Sequence, residues 1–291
     1  MTGGLVAAAV GWYDANARDL PWREPDADPW AVLVSEIMLQ QTPVARVLPA
    51  YRDWLARWPS PAALAGATPG DAVRQWGRLG YPRRALRLHQ AAVIITERHG
   101  GEVPSALADL RALPGVGSYT AAAVAAFAFG QRHAVLDTNV RRVLTRVTAG
   151  EARPAATLSV AEAAAAQALL PADPALAARW SVAVMELGAL ICVAAQPRCG
   201  ECPLASRCAW LATGKPASDI PARAQAYEGT DRQCRGRLLA VLRDAAGPVP
   251  AANLEEAWPD GPQRARALTS LLADGLAEAA GAGHYALPGG K

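Results

Sequence analysis

The sequence predicts a mainly α-helical protein with a small α+β unit at its C-terminal end. Alanine-rich apolar stretches, only two Phe and few β-branched runs favour helix over sheet. Helix-start pairs such as Thr42–Pro43 and Thr68–Pro69 recur at short spacing. Near the C-terminus, LAEAAGAGHYALPGG alternates and carries the glycines of a β-hairpin. With 291 residues, 52% hydrophobic and 19% charged, the chain can bury one large core or two smaller ones.

Residues 4–18 have the apolar spacing of an amphipathic helix, and the Pro-rich DLPWREPDADP connects it to Trp30. Thr42 and Pro43 open a helix running through Trp58, and Thr68 and Pro69 open another. A helix over 82–99 stops at Gly100 and Gly101, and further helices cover 105–112, 118–129, 156–170 and 174–194. After Cys208 the segment is poor in large apolar residues and reads as a linker over 213–230. Helices at 235–245, 253–258 and 263–273 precede the hairpin, and that order makes 231–291 winged-helix-like. The body is therefore 1–212, subdivided into a six-helix domain over about 23–134 and a second domain formed by the N-terminal helix with 135–212.

The stretch 113–147, LPGVGSYTAAAVAAFAFGQRHAVLDTNVRRVLTRV, reads as a tight turn, a helix ending at Gly130, a connector and a second helix. Gly115 and Gly117, flanking Val116, are able to take positive φ and to expose successive N–H groups, as a phosphate grip requires. Such a turn holds a nucleic-acid backbone without reading bases. Asp137 falls where the next helix begins, where the macrodipole and N–H groups are expected to lower its pKa and keep it ionised.

Glu36 sits in WAVLVSEIMLQQT with Val32, Leu33, Leu39 and Gln40 as helical neighbours, so burial is expected to raise its pKa and let it act as a general acid. Two carboxyls in opposite protonation states suit acid-catalysed cleavage of a glycosidic bond through an oxocarbenium-like transition state. Cys192, Cys199, Cys202 and Cys208, spaced C-x6-C-x2-C-x5-C, point to a metal site rather than disulfides. Four thiolates can hold zinc, but one close pair flanked by two wide gaps favours iron-sulfur ligation. Cys234 stands apart as a buried or incidental thiol.

The net charge is only +3, yet the cations are 27 Arg and 2 Lys, the first being Lys215, so 1–214 contain no lysine to form a Schiff base. There is no 18-residue apolar stretch and the N-terminus lacks a signal-peptide pattern, so a soluble cytoplasmic protein without membrane association is expected.

LPGVG with Asp137, the four-cysteine spacing, DLPWR at 19–23 and SEIMLQQT at 35–42 together resemble the adenine DNA glycosylases of the MutY type, in the helix-hairpin-helix superfamily that includes endonuclease III. The resemblance covers residues 4 to about 212. It implies the two-domain helix-hairpin-helix glycosylase fold, a four-iron, four-sulfur cluster on the four cysteines, and a monofunctional hydrolase of base excision repair. Its substrate would be double-stranded DNA with adenine mispaired with 8-oxoguanine or guanine, bound by a monomer at the bacterial nucleoid after the adenine flips out. It also implies that Glu36 protonates adenine at N7 and later helps activate water. Asp137 would stabilise the sugar cation or trap it covalently, with Asn139 and Tyr119 as positioning groups. Trp22, Arg23 and Leu39 match positions lining the adenine pocket, Gln41 and Tyr81 match positions that wedge into the duplex, and Gly115, Val116 and Gly117 match the phosphate-binding hairpin. The cysteine loop would present Arg198 and Arg207 to phosphates.

Endonuclease III relatives carry a catalytic lysine where this chain has Tyr119. Other departures separate the sequence from typical adenine enzymes: Pro82 replaces a tyrosine, Val182 stands where Gln or Glu is usual, and the C-terminal Nudix-like domain that reads 8-oxoguanine is replaced by the shorter 231–291 unit. The competing readings are a mismatch thymine glycosylase, against which SEIMLQQT with Glu36 argues, and a noncatalytic iron-sulfur DNA-binding protein.

Overall fold

The structure is a computed structural model that describes residues 2–217 and 227–289. Fifteen α-helices and three short strands are seen among them, with four short helical turns of other types. They group into two compact units, one formed by Met1–Val32, Ser105–Ala108 and Gly117–Ala222, the other by Leu33–Pro104, Asp109–Val116 and Arg223–Lys291.

The first unit holds α1 (Thr2–Asn16), α8 (Ser118–Phe129), α9 (Thr138–Leu144), α10 (Val160–Leu169), α11 (Pro174–Leu190) and α12 (Ala209–Ala212). Helix α1 turns Val6, Ala9 and Val10 inward, the i, i+3, i+4 face expected of an amphipathic helix. These residues meet Val140, Val143, Trp180, Val184 and Leu187 in one apolar cluster, so α11 is the post against which α1 and α9 pack. The start of α11 follows local chemistry. Asp173 accepts from the Leu176 N–H at 2.7 Å, with Pro174 in the first turn. Helix α8 is apolar all round and correspondingly buried, from Thr120 to Ala126. It ends on Gly130 in the left-handed region, as the sequence predicts. Helices α10 and α11 are shorter than the 156–170 and 174–194 expected. Ser159 caps α10 through the Glu162 N–H, and α11 closes at Leu190 ahead of the cysteine loop.

In the second unit α3 (Val44–Arg57), α4 (Pro61–Ala65), α5 (Pro69–Trp76) and α6 (Arg83–Arg98) follow one another, with most of α2 (Pro29–Met38) before them and most of α7 (Leu107–Ala112) after. Trp54 sits edge-on to Trp58 and Trp76, with ring centroids 4.7 and 5.6 Å apart. Thr68 and Asp71 form a full capping box at α5. Thr42 does not cap α3. Its hydroxyl is buried, donating to the Leu79 carbonyl and accepting from Arg84, because the end of α2 and the turn before α6 close on it from both sides.

Arg84 makes that closure. Nη1 donates to the carbonyls of Ile37, Met38 and Gln40, and Nη2 to Thr42 Oγ1 and the Gly80 carbonyl. One fork thus covers the unpaired carbonyls at the end of α2 and fixes the two turns beside it. Burial pulls the guanidinium down to about 10, which leaves it charged at neutral pH.

The C-terminal segment builds α13 (Asp231–Asp244), β1 (Val249–Pro250), α14 (Ala251–Ala257), α15 (Gly261–Ala273), β2 (Glu278–Ala279) and β3 (His284–Ala286). Strand β3 pairs antiparallel with both β1 and β2, giving the order β1-β3-β2. The winged-helix order expected from sequence is present, with an added strand, β1, too short to announce itself. This segment belongs to the second unit and is tied to α5 and α6. Arg74 donates to the carbonyls of Arg243 and Ala245, the Gly70 N–H donates to the Pro288 carbonyl at 2.8 Å, and Arg83 pairs with Asp274. A Cβ on Gly70 would lie 2.6 Å from that carbonyl oxygen, so the approach requires glycine. Most of the 213–230 linker lies outside the described residues.

Replacing Arg84 by Met should remove donors from several buried carbonyls and lower the unfolding free energy by roughly 3 kcal/mol, since each unsatisfied group costs about 1–3 kcal/mol. Arg74→Met, at an exposed site, should cost under about 1 kcal/mol. Urea titrations of the two variants beside the parent protein check the ranking. Equal midpoints would show that Arg84 is replaceable by packing alone.

Candidate active site and cysteine loop

The hairpin has the predicted turn, but its two glycines differ. Gly115 adopts φ +82°, and a Cβ there would meet Arg87 Cβ at 3.0 Å, so both conformation and space demand glycine. Gly117 has φ −86° and extended backbone, not the positive φ expected; it stands as N-cap of α8, and a Cβ on it would meet nothing within 4 Å. Its smallness leaves open space at the helix start rather than relieving strain. Gln40 Nε2 donates to the Gly115 carbonyl at 3.2 Å and pins the turn, with Val116 buried beneath it.

Asp137 is the N-cap of α9. Its carboxylate accepts from the Val140 N–H at 2.6 Å and from Asn139 Nδ2 at 2.9 Å. The helix-start bonds and Arg142 do favour the charged form, as expected. Burial nevertheless outweighs them and holds the pKa above the ordinary carboxylate value, so the expected lowering is reversed. The sequence shows the cap but not the depth at which it is buried.

Asn139 is itself oriented by Arg142, whose Nη2 donates to Asn139 Oδ1 at 2.8 Å. The same guanidinium donates to the carbonyls of Gly188 and Cys192. A continuous polar chain therefore runs from the Cys192 backbone through Arg142 and Asn139 to Asp137. Gly188 is obligatory here, because a Cβ would fall 2.8 Å from Asn139 Cβ. Sequence reading missed Arg142 and its neighbour Arg146. The available clue is their spacing of four on a helical run whose other face is Val140, Val143 and Val147.

Tyr119, Phe127 and Met185 pack around a small cluster of Ala122, Ala123, Ala126 and Val135. Arg23 lies over the Phe127 ring at 4.3 Å and approaches the Met185 sulfur at 3.4 Å, and Trp22 is buried. Trp22, Arg23, Tyr119, Asp137 and Asn139 thus all belong to the first unit.

In the second unit, Glu36 is 1% exposed on α2, between Val32, Leu33 and Ile37, as its apolar neighbours predict. Leu39 lies just past the helix end. Gln41 and Tyr81 both have positive φ, +58° and +47°. Side chains held in the left-handed region cost about 1–2 kcal/mol each, and such strain concentrates at functional positions. Both are exposed, and Tyr81 is anchored from below by Arg84, 5.4 Å from its ring. Pro82 caps α6, and Val182 is partly buried on α11.

All four clustered cysteines are free thiols and line one small, apolar cavity with Val143, Ile191 and Trp210. Among the described residues, no three His, Cys, Asp or Glu side chains converge around a single metal ion. The donor set still fits an iron-sulfur cluster, which spreads four thiolates over the corners of a cage wider than one ion's shell. Arg146 is buried beside the first of these cysteines. It donates to Cys192 Sγ at 3.2 Å and to the carbonyls of Val193 and Ala194, with Trp210 4.4 Å from its guanidinium. Arg198 and Arg207 are exposed on this loop; Arg198 pairs with Glu201 and donates to the Leu190 carbonyl. Cys234 is buried in α13, far along the chain from the cluster.

Residues 34–166 match the model of the HhH-GPD superfamily base excision DNA repair proteins. Among solved structures, a thermostable thymine-DNA glycosylase superposes with TM-score 0.65 at 26% identity, over 73% of this chain and 97% of that one. An endonuclease III in complex with DNA superposes with TM-score 0.59 at 21% identity, over 72% and 94%. The adenine DNA glycosylase of Mycobacterium tuberculosis is 55% identical over 282 residues, which are 96% of this chain and 92% of that protein. At that identity over nearly the whole of both chains, this protein belongs to the adenine DNA glycosylase family.

Proposed function

We propose that the protein removes adenine mispaired with 8-oxoguanine or guanine in double-stranded DNA, acting as a monofunctional glycosylase on a base flipped out of the duplex. The observation that carries this reading is the partly buried Asp137 carboxylate, held by the Val140 N–H and Asn139 at the start of α9. An anion fixed by these hydrogen bonds is suited to an oxocarbenium-like sugar, and it costs no reorganisation when the positive charge develops. Glu36, inside the apolar face of α2, supplies the proton to adenine N7 and later aligns the attacking water. The family resemblance assigns Trp22, Arg23 and Leu39 to adenine binding, and Tyr119 and Asn139 to positioning the reacting groups. Gln41 and Tyr81 fill the gap left by the flipped base, which gives their strained backbones a use. Gly115 to Gly117 hold a phosphate at the α8 start.

Tyr119 has no amine and the chain has no lysine before Lys215, so the strand is left uncut after the base departs. Cys192, Cys199, Cys202 and Cys208 would hold a four-iron, four-sulfur cluster. Its chemistry here is structural, fixing the loop whose Cys192 carbonyl anchors Arg142. No helix among the described residues is long and apolar enough to cross a membrane.

Duplexes with A opposite 8-oxoguanine, A opposite G and T opposite G, treated with alkali after incubation, test the substrate. Strand breaks should appear in the first two; breaks in T opposite G alone would make this a thymine enzyme, and breaks without alkali would mean a lyase. Glu36→Gln and Asp137→Asn should each lower single-turnover excision at least about a hundredfold while retaining duplex affinity.

The Asp137 environment also sets a pH dependence. Burial raises the Asp137 pKa and Asn139 opposes that rise. Excision therefore needs a pH above the raised value, and Asn139→Ala should push the acid limb of the rate profile to higher pH. The sign for stability is opposite to that of a salt-bridged carboxylate: a raised folded pKa means stability lost as pH rises from 3.8 through the folded value. An Asn139→Ala profile superimposable on the parent's would remove Asn139 from this role.

Purified protein should contain iron and inorganic sulfide in equal amounts, about four of each per chain. A zinc-loaded colourless protein would overturn the cluster assignment.

A further inference from the structure

Between the turn 78–84 and helices α13 and α15, all within the second unit, lies a cleft of about 820 Å³. Seven arginines and a single acid, Asp274, line it, in a protein whose overall charge is only +3. Part of this charge is structurally occupied. Arg84 faces inward onto carbonyls, Arg83 and Arg235 share Asp274, and Arg46 donates to the Arg78 carbonyl. Arg78, Arg87 and Arg232 remain: all three are exposed and none has a carboxylate partner among the described residues.

Aromatic surface is interleaved with this charge. Tyr81 and Tyr227 are each half-exposed in the cleft wall, and Arg232 lies over the Tyr227 ring at 5.1 Å. The cleft also adjoins the hairpin. Arg87 is the residue packed against Gly115, and Gln40, which holds the Gly115 carbonyl, is another lining residue. Exposed cations with fork geometry beside aromatic faces are the combination that tracks a nucleic-acid backbone.

We propose that this cleft is a second DNA-backbone site, in which Arg78, Arg87 and Arg232 bind phosphates beyond those held by the hairpin. The C-terminal unit would thereby contribute Arg232 and Tyr227 to DNA binding from one wall, while the helical region contributes Arg78 and Arg87 from the other. The inference rests on the reading of the chain as a DNA glycosylase, but its test reads binding rather than excision, so the two fail separately.

The test is the salt dependence of affinity for a fluorescent duplex bearing A opposite G, measured on the full chain. Each phosphate contact contributes about 0.9 to the slope of log K against log salt. Arg78→Gln, Arg87→Gln and Arg232→Gln should each reduce the slope by about 0.9, and the triple variant by about 2.7. Lysine at the same positions should restore the slope, because counterion release counts charge, whereas a role in capping carbonyls would not be rescued. Unchanged slopes in the glutamine variants, with circular dichroism like the parent's, would overturn the proposal and leave the cleft for another acidic ligand. A slope lost but not restored by lysine would also overturn it, assigning these arginines to structure.

Discussion

Every α-helix ends with carbonyls that have no intrahelical partner, and this structure depends on arginine forks to satisfy them. Arg84 covers the end of α2, Arg142 the end of α11, Arg132 the end of α10, Arg74 the end of α13 and Arg264 the end of α14. A guanidinium suits this work because it offers several donors in a rigid plane and stays charged even when burial lowers its pKa, as at Arg84. An ammonium has no fixed fork and is more strongly hydrated. The bias of 27 arginines to 2 lysines is thus put to structural use, whatever its origin in composition.

Two of those forks also organise the candidate chemistry. Arg84 fixes the end of the helix that carries Glu36 and the turns that carry Gln41 and Tyr81. Arg142 fixes Asn139, and through it Asp137, while sharing the Cys192 carbonyl with Arg146. In each case a rigid cation fixes the backbone or side chain next to a candidate residue. Asp137 shows the balance of terms. Its helix-start bonds favour the anion, its burial disfavours it more, and the result is a carboxylate held ready at an energetic cost.

The helices were largely legible from local patterns. Thr68 with Asp71, Asp173 with Pro174 and the glycine stop at Gly130 all act as their sequence context predicts. Elements whose form depends on distant partners were not. Thr42 looks like a cap and is instead a buried link to Leu79 and Arg84, and β1 is two residues long and exists only because β3 lies beside it. Gly117 needed no positive φ because α8 begins from extended backbone.

The sequence by itself determined the helical class, the winged-helix order of the C-terminal segment, the four-cysteine spacing and the identity of Glu36 and Asp137 as the candidate carboxyls. These are read from short-range rules: periodicity, capping and ligand spacing act within a few residues. Tertiary structure alone decided the direction of the Asp137 pKa shift, the arginine chain from Cys192 to Asp137, and the packing of the C-terminal segment against α5 and α6 with its basic cleft. Desolvation and long-range hydrogen bonds depend on which segments fold over a residue, and no local pattern contains that information.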